Sequence, residues 1–196
     1  MLYQKREKFK FIEKFLVKLF KKFHPNFLTS LTLFFALFGT ISLFFKNLFL
    51  GAVFFFFSFL FDFIDGAVAR ATKRVSIKGA FFDTISDRIV EFLFFLGLFF
   101  LNPPQFFLPF KLWILLALFF SMMITYSKAA AFEKGLLRKE KKLGFFSRPE
   151  RCIFYMGTLI GGMIKLKILS FFVALIAILC FFCFIERVIY YLKIKV

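Results

Sequence analysis

Residues 62–87 read DFIDGAVARATKRVSIKGAFFDTISD. This stretch holds all the aspartates of a 196-residue chain, Asp62, Asp65, Asp83 and Asp87. The surrounding sequence is strongly apolar, with 61% hydrophobic residues and 40 phenylalanines. A carboxylate at the centre of a bilayer costs about 2.5–3.5 kcal/mol on insertion scales. Four of them, clustered at the ends of two apolar runs, therefore indicate a functional site.

The overall composition indicates a membrane protein. A soluble domain of this length could not bury so much apolar surface, and the mean hydropathy is +0.85. The formal net charge is +17, but the basic residues lie in short breaks between apolar runs. That pattern is typical of the loops that orient a membrane protein in a lipid bilayer. We therefore expect no nucleic-acid binding.

Apolar runs of bilayer length predict an all-α integral membrane protein with six transmembrane helices. Most runs have about 17–25 residues, and the fifth is short and glycine-rich. The predicted spans cover about 27–45, 49–65, 80–101, 107–131, 151–164 and 168–191. We expect one domain over residues 1–196, with a six-helix bundle at residues 25–192.

An amphipathic helix is predicted before the first span, at residues 2–22. Lysines occupy most of its surface, and one apolar stripe recurs at helical spacing: Phe9, Ile12, Leu16, Leu19 and Phe23. Such a helix lies in the membrane interface and anchors the chain. His24, the only histidine, follows it and is interpreted as an interfacial polar residue rather than a catalytic base.

The distribution of Lys and Arg predicts the orientation of the chain. These residues concentrate before residue 24, in 70–78, in 134–151 and after residue 186, whereas the intervening connections carry few. Because cytosolic loops carry the excess of basic residues, both termini and the aspartates are expected on the cytosolic side. The predicted location is the cell (inner) membrane, which the chain crosses several times.

The spacing of the aspartates predicts a metal site. Asp62 and Asp65 are three residues apart, and Asp83 and Asp87 are four apart, so each pair lies on one helix face. Two facing helix ends would bring the four charges together, and divalent cations would relieve their repulsion. Oxygen ligands favour Mg²⁺ or Mn²⁺. Two ions about 3.5–4 Å apart suit an in-line displacement at phosphorus.

Neighbouring residues favour a phosphate ligand over a purely structural role. Gly66 directly follows Asp65 and allows a ligand to approach the backbone, and Arg70 can bind phosphate oxygens with its planar fork. The alternative is that the aspartates only form salt bridges with nearby Lys and Arg. That alternative explains one or two of them, and it leaves the two glycines of the stretch unexplained.

These positions resemble the signature of the CDP-alcohol phosphotransferases. The signature is Asp, two residues, Asp-Gly, two residues, Ala-Arg, eight residues, Gly, three residues, Asp, three residues, Asp. Every fixed position is filled here, by Asp62, Asp65, Gly66, Ala69, Arg70, Gly79, Asp83 and Asp87. The resemblance implies six transmembrane helices, a homodimer and two divalent cations in a site open to the cytosol. It also implies that CDP-diacylglycerol or CDP-archaeol donates its lipid phosphoryl group to an alcohol and that CMP leaves.

The same resemblance implies a role for each site residue. Asp62 and Asp83 would bridge the two metal ions, Asp65 would bind the first ion, and Asp87 would bind the second. Asp87 would also take the proton of the attacking hydroxyl as the catalytic base. The residues that would bind the CDP-lipid are Asn26, Thr29, Gly66, Ala69, Arg70, Ser76 and Gly79.

Cations in the later spans predict an anionic acceptor. Lys128 and Arg187 lie inside spans, where a charge is costly. The sequence around them resembles phosphatidylinositol-phosphate synthases, including archaeal relatives that use an archaetidyl lipid. That resemblance implies that the phosphate of inositol 1-phosphate is bound by Lys128, Arg148, Arg151 and Arg187. Ala130 departs from that resemblance, because phosphatidylinositol-phosphate synthases often carry Arg there. Glycerol 3-phosphate stays open as the acceptor of a phosphatidylglycerophosphate synthase.

Two other classes of protein stay open at this point, a cation transporter and a scaffold without chemistry. Transporters tend to place acidic groups near the bilayer midplane, on broken helices from repeated halves. Here the carboxylates gather at the ends of the predicted spans, and we see no internal repeat. A scaffold leaves the cost of the carboxylates unexplained. We therefore favour the transferase.

Overall fold

The computed structural model describes residues 14–137 and 144–194, which form helices joined by short connections. The long helices are α1 (Pro25–Phe44), α2 (Leu48–Ala71), α3 (Ile77–Phe99), α4 (Phe110–Glu133), α5 (Arg148–Ile164) and α6 (Leu166–Leu192). Residues 14–20 are also helical. Within the described residues the one β feature is an isolated bridge between Phe106 and Leu108, so the all-α prediction is confirmed.

The chain divides into two compact units, Met1–Leu101 with α1 to α3 and Asn102–Val196 with α4 to α6. In the first unit, α1 packs against both α2 and α3. In the second unit, α6 packs against both α4 and α5. The prediction of a single domain over the whole chain stays a prediction.

Local capping explains where the helices of the first unit begin and end. His24 caps α1, because its Nδ1 accepts a hydrogen bond from the backbone N–H of Asn26 at 3.3 Å, and Pro25 opens the helix. Asn47 caps α2 through its side-chain oxygen. Just after α2, Lys73 adopts the left-handed backbone conformation with φ 55°, which is a common way to terminate a helix. The single histidine therefore has a structural role at a helix junction.

Four helices, α1, α2, α4 and α6, are long and apolar enough to cross a membrane. The fifth helix, α5, has 17 residues, which is short for a span. The third helix, α3, has a suitable length but carries several charged residues, among them Asp83, Asp87, Arg88 and Glu91. The structure is that of a multi-pass membrane protein, and the number of six crossings stays a prediction.

Buried hydroxyl groups join the helices of the first unit. Ser58 on α2 donates a hydrogen bond to the carbonyl oxygen of Thr32 on α1 at 2.9 Å. Thr40 on α1 lies 2.9 Å from the carbonyl oxygen of Leu93 on α3. Because all three hydroxyl-bearing residues are buried, these bonds replace the water that the groups would otherwise contact. They hold α1 at a defined rotation between its two neighbours.

The helical residues 14–20 pack on the first unit through one side. Leu16, Val17 and Phe20 contact the core formed around Leu28 and Ile64. The ring of Phe20 meets that of Phe61 edge-on, with a centroid distance of 5.8 Å. This segment is therefore attached to α1 and α2 and is not a free tail.

The predicted apolar stripe of this segment is divided between two sides. Leu16 packs inward, whereas Leu19 and Phe23 are exposed. Phe9 and Ile12, like the rest of residues 2–13, lie outside the described residues. An outward apolar side is what a helix in the membrane interface requires, so the interfacial location stays a prediction.

In the second unit, two hydrogen bonds fix the loop that precedes α4. Trp113 Nε1 on α4 donates to the carbonyl oxygen of Phe106 at 2.6 Å. Ser170 Oγ on α6 donates to the carbonyl oxygen of Pro104 at 2.6 Å. The loop is thus tied to both helices.

Replacing Gly97 with leucine should separate α1 from α3. A Cβ atom at Gly97 would lie 2.8 Å from Cδ1 of the buried Leu43 and 3.3 Å from Cα of Thr40. Overpacking of this kind costs about 1–3 kcal/mol. We expect Gly97→Leu to lower the thermal unfolding midpoint in detergent. Phe92→Leu, at an exposed position of α3, is the control. An unchanged midpoint in Gly97→Leu would contradict the close α1–α3 contact.

Candidate metal centre and adjoining cavity

Three carboxylates converge between α2 and α3. Asp62 comes from α2, and Asp83 and Asp87 come from α3. One carboxylate oxygen from each lies within 4.8 Å of the other two, and all three residues are half-buried. The spacing within each helix places the aspartates on a common face, and the short connection between the helices brings the two faces together.

The geometry of these carboxylates fits a divalent cation. Mg²⁺ holds oxygen ligands at about 2.0–2.1 Å, so ligands on opposite sides of one ion are about 4.2 Å apart. The observed spread of up to 4.8 Å is slightly wider than that. It fits one ion after a small closure, or two ions about 3.5–4 Å apart that share ligands. The donor set, which contains only oxygen, suits Mg²⁺ or Mn²⁺.

Asp65 lies beside these three carboxylates but is not one of the group. It is 4% exposed, and its Oδ2 accepts a hydrogen bond from Thr29 Oγ1 on α1 at 2.7 Å. That bond stabilises a buried carboxylate and ties α1 to α2 at the site. The structure thus brings three of the four predicted metal ligands into one cluster. The metal-binding role of Asp65 stays a prediction.

A cavity of about 170 Å³ adjoins the cluster and is lined by both Asp65 and Asp83. Its walls come from the start of α1, the end of α2 and the start of α3. Every residue that the family resemblance assigned to the CDP-lipid lines this one cavity: Asn26, Thr29, Gly66, Ala69, Arg70, Ser76 and Gly79. Asn26 and Thr29 are far in sequence from the other five residues, which lie within 66–79, so the convergence of the two groups is a property of the fold.

Gly79 allows two polar side chains to approach the start of α3. Ser76 caps this helix, because its Oγ accepts a hydrogen bond from the backbone N–H of Gly79 at 3.0 Å. A Cβ atom at position 79 would lie 3.0 Å from Ser76 Oγ and 3.3 Å from Asn26 Oδ1. The absence of a side chain here keeps the cavity open between α1 and α3.

Two arginines make the cavity suitable for an anion. Arg70 and Arg74 both line it, together with the N-terminal end of α3. Arginine guanidinium groups and helix N-termini both favour phosphate oxygens. Arg74 was missed in the sequence analysis. Its place in the basic connection that follows Arg70 was the available signal.

An ion pair explains how the charge of Arg88 is accommodated inside α3. Its guanidinium forms an ion pair with Glu91, one turn further along the helix. Glu91 is 4% exposed. A buried charge is tolerated when it is paired, so this contact neutralises both groups one turn beyond Asp87.

In the second unit, two of the predicted acceptor-binding arginines contact the backbone of α4. Arg151 on α5, which is 4% exposed, donates from Nη1 to the carbonyl oxygen of Ser121 at 3.4 Å. Arg187 on α6 donates from Nη1 to the carbonyl oxygen of Ile124 at 3.0 Å. Because the two carbonyls are about one turn apart, both guanidinium groups lie against the same stretch of α4.

The other two predicted cations lie close by in sequence. Lys128 is half-buried on α4, one turn after Ile124, and Arg148 is half-buried at the start of α5, one turn before Arg151. The structure places all four cations on the three helices of this unit. A role in binding an acceptor stays a prediction for each of them.

Gly144 lies in the connection before α5 and was not assigned a role from the sequence. Its φ is +90°, a conformation that favours glycine. A Cβ atom here would lie 2.5 Å from Cys183 Sγ and 3.5 Å from Arg187 Nε. The backbone before α5 therefore passes directly beside Arg187, and no sequence pattern indicated this contact.

These features define a class, a helical multi-pass membrane protein with a carboxylate site for divalent cations beside a cavity suited to phosphate. The chain belongs to the CDP-alcohol phosphatidyltransferase family, whose family model matches residues 22–196. The resemblance stated from the aspartate signature is confirmed.

Two relatives align with about two thirds to three quarters of the chain. A bifunctional IPC transferase and DIPP synthase of Aquifex aeolicus is 36% identical over 150 residues, which are 74% of this chain and 34% of that protein. An archaetidylinositol phosphate synthase of Methanothermobacter thermautotrophicus is 32% identical over 130 residues, 66% of this chain and 63% of that protein. The chain thus spans about a third of the length of the bifunctional relative.

Crystal structures of the Mycobacterium tuberculosis phosphatidylinositol phosphate synthase have a similar fold. The form with CDP-DAG bound matches with a TM-score of 0.75 and 28% identity, over 93% of this chain and 92% of that chain. The form in complex with manganese and citrate matches with a TM-score of 0.74 and 29% identity, over 93% and 88%.

Removing one carboxylate from the cluster should weaken metal binding. Asp83→Asn keeps the size of the side chain but removes a charge from three converging ligands, so we expect Mn²⁺ affinity to fall at least about tenfold. Electron paramagnetic resonance of free Mn²⁺ during titration of the purified protein measures the affinity. Glu133→Gln removes an exposed carboxylate that pairs with Lys134, and it should leave the affinity unchanged. Equal affinity in the wild type and Asp83→Asn would exclude this cluster as the metal site.

Proposed function

We propose that the protein is a metal-dependent CDP-alcohol phosphotransferase. It moves a phosphatidyl or archaetidyl group from a CDP-linked lipid to inositol 1-phosphate and releases CMP. One observation carries the proposal: a single cavity collects every residue assigned to the CDP-lipid, directly beside three converging carboxylates. The mycobacterial relative of similar fold has been crystallised with CDP-DAG and with manganese.

The cavity is suited to the diphosphate of the donor. Arg70 and Arg74 supply positive charge, and the N-terminal end of α3, which favours negative charge, forms part of the lining. Gly66 and Gly79 allow the donor to approach the backbone of α2 and α3 closely. Bound divalent cations would be held by the aspartates and would stabilise charge on the diphosphate oxygens.

Asp87 is the proposed catalytic base. An alcohol is a weak nucleophile, so a carboxylate near the reacting phosphorus accelerates attack by taking the hydroxyl proton. The hydroxyl oxygen then forms a bond to the lipid-bearing phosphorus. The bond from that phosphorus to the bridging oxygen breaks, and CMP leaves with the electron pair. Asp87 fits this role because it is half-buried within the carboxylate cluster.

The cations of the second unit and the names of the relatives together favour inositol 1-phosphate as the acceptor. Lys128, Arg148, Arg151 and Arg187 are the proposed ligands of its phosphate. Arg151 and Arg187 are oriented by α4 carbonyl oxygens, which places two planar donors on one stretch of helix. Relatives from Methanothermobacter and Mycobacterium are named as synthases of archaetidylinositol phosphate and phosphatidylinositol phosphate.

The proposal includes the membrane arrangement expected from the sequence. Six helices would cross the bilayer, with both termini and the active site on the cytosolic side of the cell (inner) membrane, and two chains would form a homodimer. The Arg88–Glu91 pair supports a membrane crossing by α3, because it neutralises two charges inside that helix. The excess of Lys and Arg near the ends of the chain and around residues 70–78 supports the orientation.

An assay in proteoliposomes tests the reaction. With CDP-diacylglycerol, inositol 1-phosphate and Mg²⁺, we expect CMP release that EDTA abolishes. Asp87→Asn should lower the rate by about 10²–10⁴-fold, because it removes the base and a metal ligand. CMP release is measured by chromatography. No CMP with any CDP-lipid and either phosphorylated acceptor would reject the transferase and leave a transporter or scaffold.

The same assay tests the acceptor. Arg187→Gln should raise the KM for inositol 1-phosphate about tenfold or more, because a charge-assisted hydrogen bond contributes about 1.5–3 kcal/mol. The KM for the CDP-lipid should change little. Lys193→Gln, an exposed position near the end of α6, is the matched control for loss of charge. A higher kcat/KM for glycerol 3-phosphate than for inositol 1-phosphate would instead indicate a phosphatidylglycerophosphate synthase.

A further inference from the structure

A second cavity, of about 460 Å³, lies in the first unit between the helical residues 14–20 and the end of α2. Lys14, Lys18 and Lys21 line it from the N-terminal side, and Arg70 lines it from α2. We call this cavity the basic groove. It is separate from the carboxylate cluster, although Arg70 also lines the cavity beside that cluster.

The three lysines of the basic groove lie on one face of their helical segment. Residues 14, 18 and 21 follow a spacing of four and three, so their side chains lie on one face of the helical segment. Among the described residues that line the groove, none is acidic. Cations grouped in this way repel one another, and an anion bound between them would relieve that repulsion.

The floor of the basic groove is apolar and made of small residues. Val17 of the helical segment forms one side of this floor, and Ala67 and Ala71 of α2 form the other. Alanine at both positions of α2 leaves room that a larger side chain would fill. Next to the groove, Phe15 and Leu19 are 63% and 61% exposed. In a membrane protein, such an apolar surface is covered by lipid, which places the cations at the height of the headgroups.

We propose that the basic groove binds the phosphate headgroup of an anionic membrane phospholipid that is not the CDP-linked donor. Lysines at the headgroup level, beside an apolar floor and exposed aromatic and aliphatic side chains, match the two halves of a phospholipid. The carboxylates beside the other cavity call for metal ions, whereas the described lining of the groove contains only cations and apolar residues. Lipid binding in the groove therefore needs no metal and does not depend on the transferase reaction.

Native mass spectrometry of the full chain in neutral detergent tests the proposal. Phosphatidic acid is titrated in the presence of EDTA, which removes metal-dependent binding of a donor. We expect saturable binding of one lipid, and no such binding of phosphatidylcholine. The double variant Lys14→Gln/Lys18→Gln should raise the apparent Kd about 25-fold, because each basic residue near a membrane surface contributes a factor of roughly five.

A matched double variant separates a defined site from general attraction by a basic protein. Lys22→Gln/Lys78→Gln removes the same charge from exposed lysines that do not line the basic groove. It should leave the Kd nearly unchanged. An equal loss of affinity in both double variants would mean that the lipid is attracted by the overall positive charge of the protein and not by the basic groove. That result would overturn the proposal.

Two further measurements examine the groove without changing its charge. Ala71→Phe fills the apolar floor and should weaken phosphatidic acid binding while leaving the helical content, measured by circular dichroism, unchanged. Unaltered binding in this variant would overturn the proposed location. Inorganic phosphate, added at the concentration of the lipid, should not displace it. Efficient displacement would show that the groove is a site for a soluble anion and not for a lipid.

Discussion

The structure of the first unit depends on the need to neutralise acidic side chains in a chain that is largely surrounded by lipid. A charge in an apolar environment is tolerated only when it is paired, hydrogen-bonded or bound to a metal. Asp65 is held by the Thr29 hydroxyl, and Glu91 is paired with Arg88. Asp62, Asp83 and Asp87 converge on one another, an arrangement whose repulsion divalent cations relieve most effectively. These acidic residues thus meet the same constraint in three ways: by a hydrogen bond, by an ion pair and by forming a site suited to cations.

This constraint gives α1 a central position in the first unit. It packs on both α2 and α3, and its Thr40 bonds to α3 while Ser58 of α2 bonds to it. These few polar bonds favour one rotation of the helix, because at another rotation Ser58 would lose its partner on α1 and Thr40 would keep only its bond to the carbonyl oxygen of Ala36 within α1. The same rotation directs Asn26 and Thr29, at the start of α1, into the cavity beside the carboxylates. Packing along the helix therefore positions the residues at its end.

Much of this arrangement could be predicted from the sequence, because its signals are local. The apolar runs predicted most helix boundaries to within a few residues, and the aspartate spacing predicted a cluster that three of the four aspartates form. The predicted second span stopped at Asp65, whereas α2 continues to Ala71. An apolar run ends at the first charges, but hydrogen bonding continues through them until Lys73 adopts a left-handed conformation and ends the helix.

The contacts that could not be predicted depend on how helices rotate against one another. Asp65 is bonded to Thr29 of α1 and is not part of the cluster of three carboxylates, and no spacing within residues 62–87 reveals this. The contact of Gly144 with Arg187 likewise joins a loop and a helix far apart in the sequence. Patterns along one helix predict which residues share a face, but the partner of that face is decided by the packing of the whole unit.

Arginines and lysines lie at different places in the structure, and the difference follows how rigid each contact must be. Arginines line the cavity beside the carboxylates and contact the α4 carbonyls, and their planar fork suits phosphate oxygens that must be held in one geometry. Three lysines line the basic groove, and they are exposed. A lysine acts as a point charge on a flexible stem, so it can follow a headgroup that moves with the membrane. In the two proposals the reacting diphosphate requires orientation, which arginines supply, and the phospholipid of the groove requires attraction, which lysines supply, while Arg70 lines both cavities.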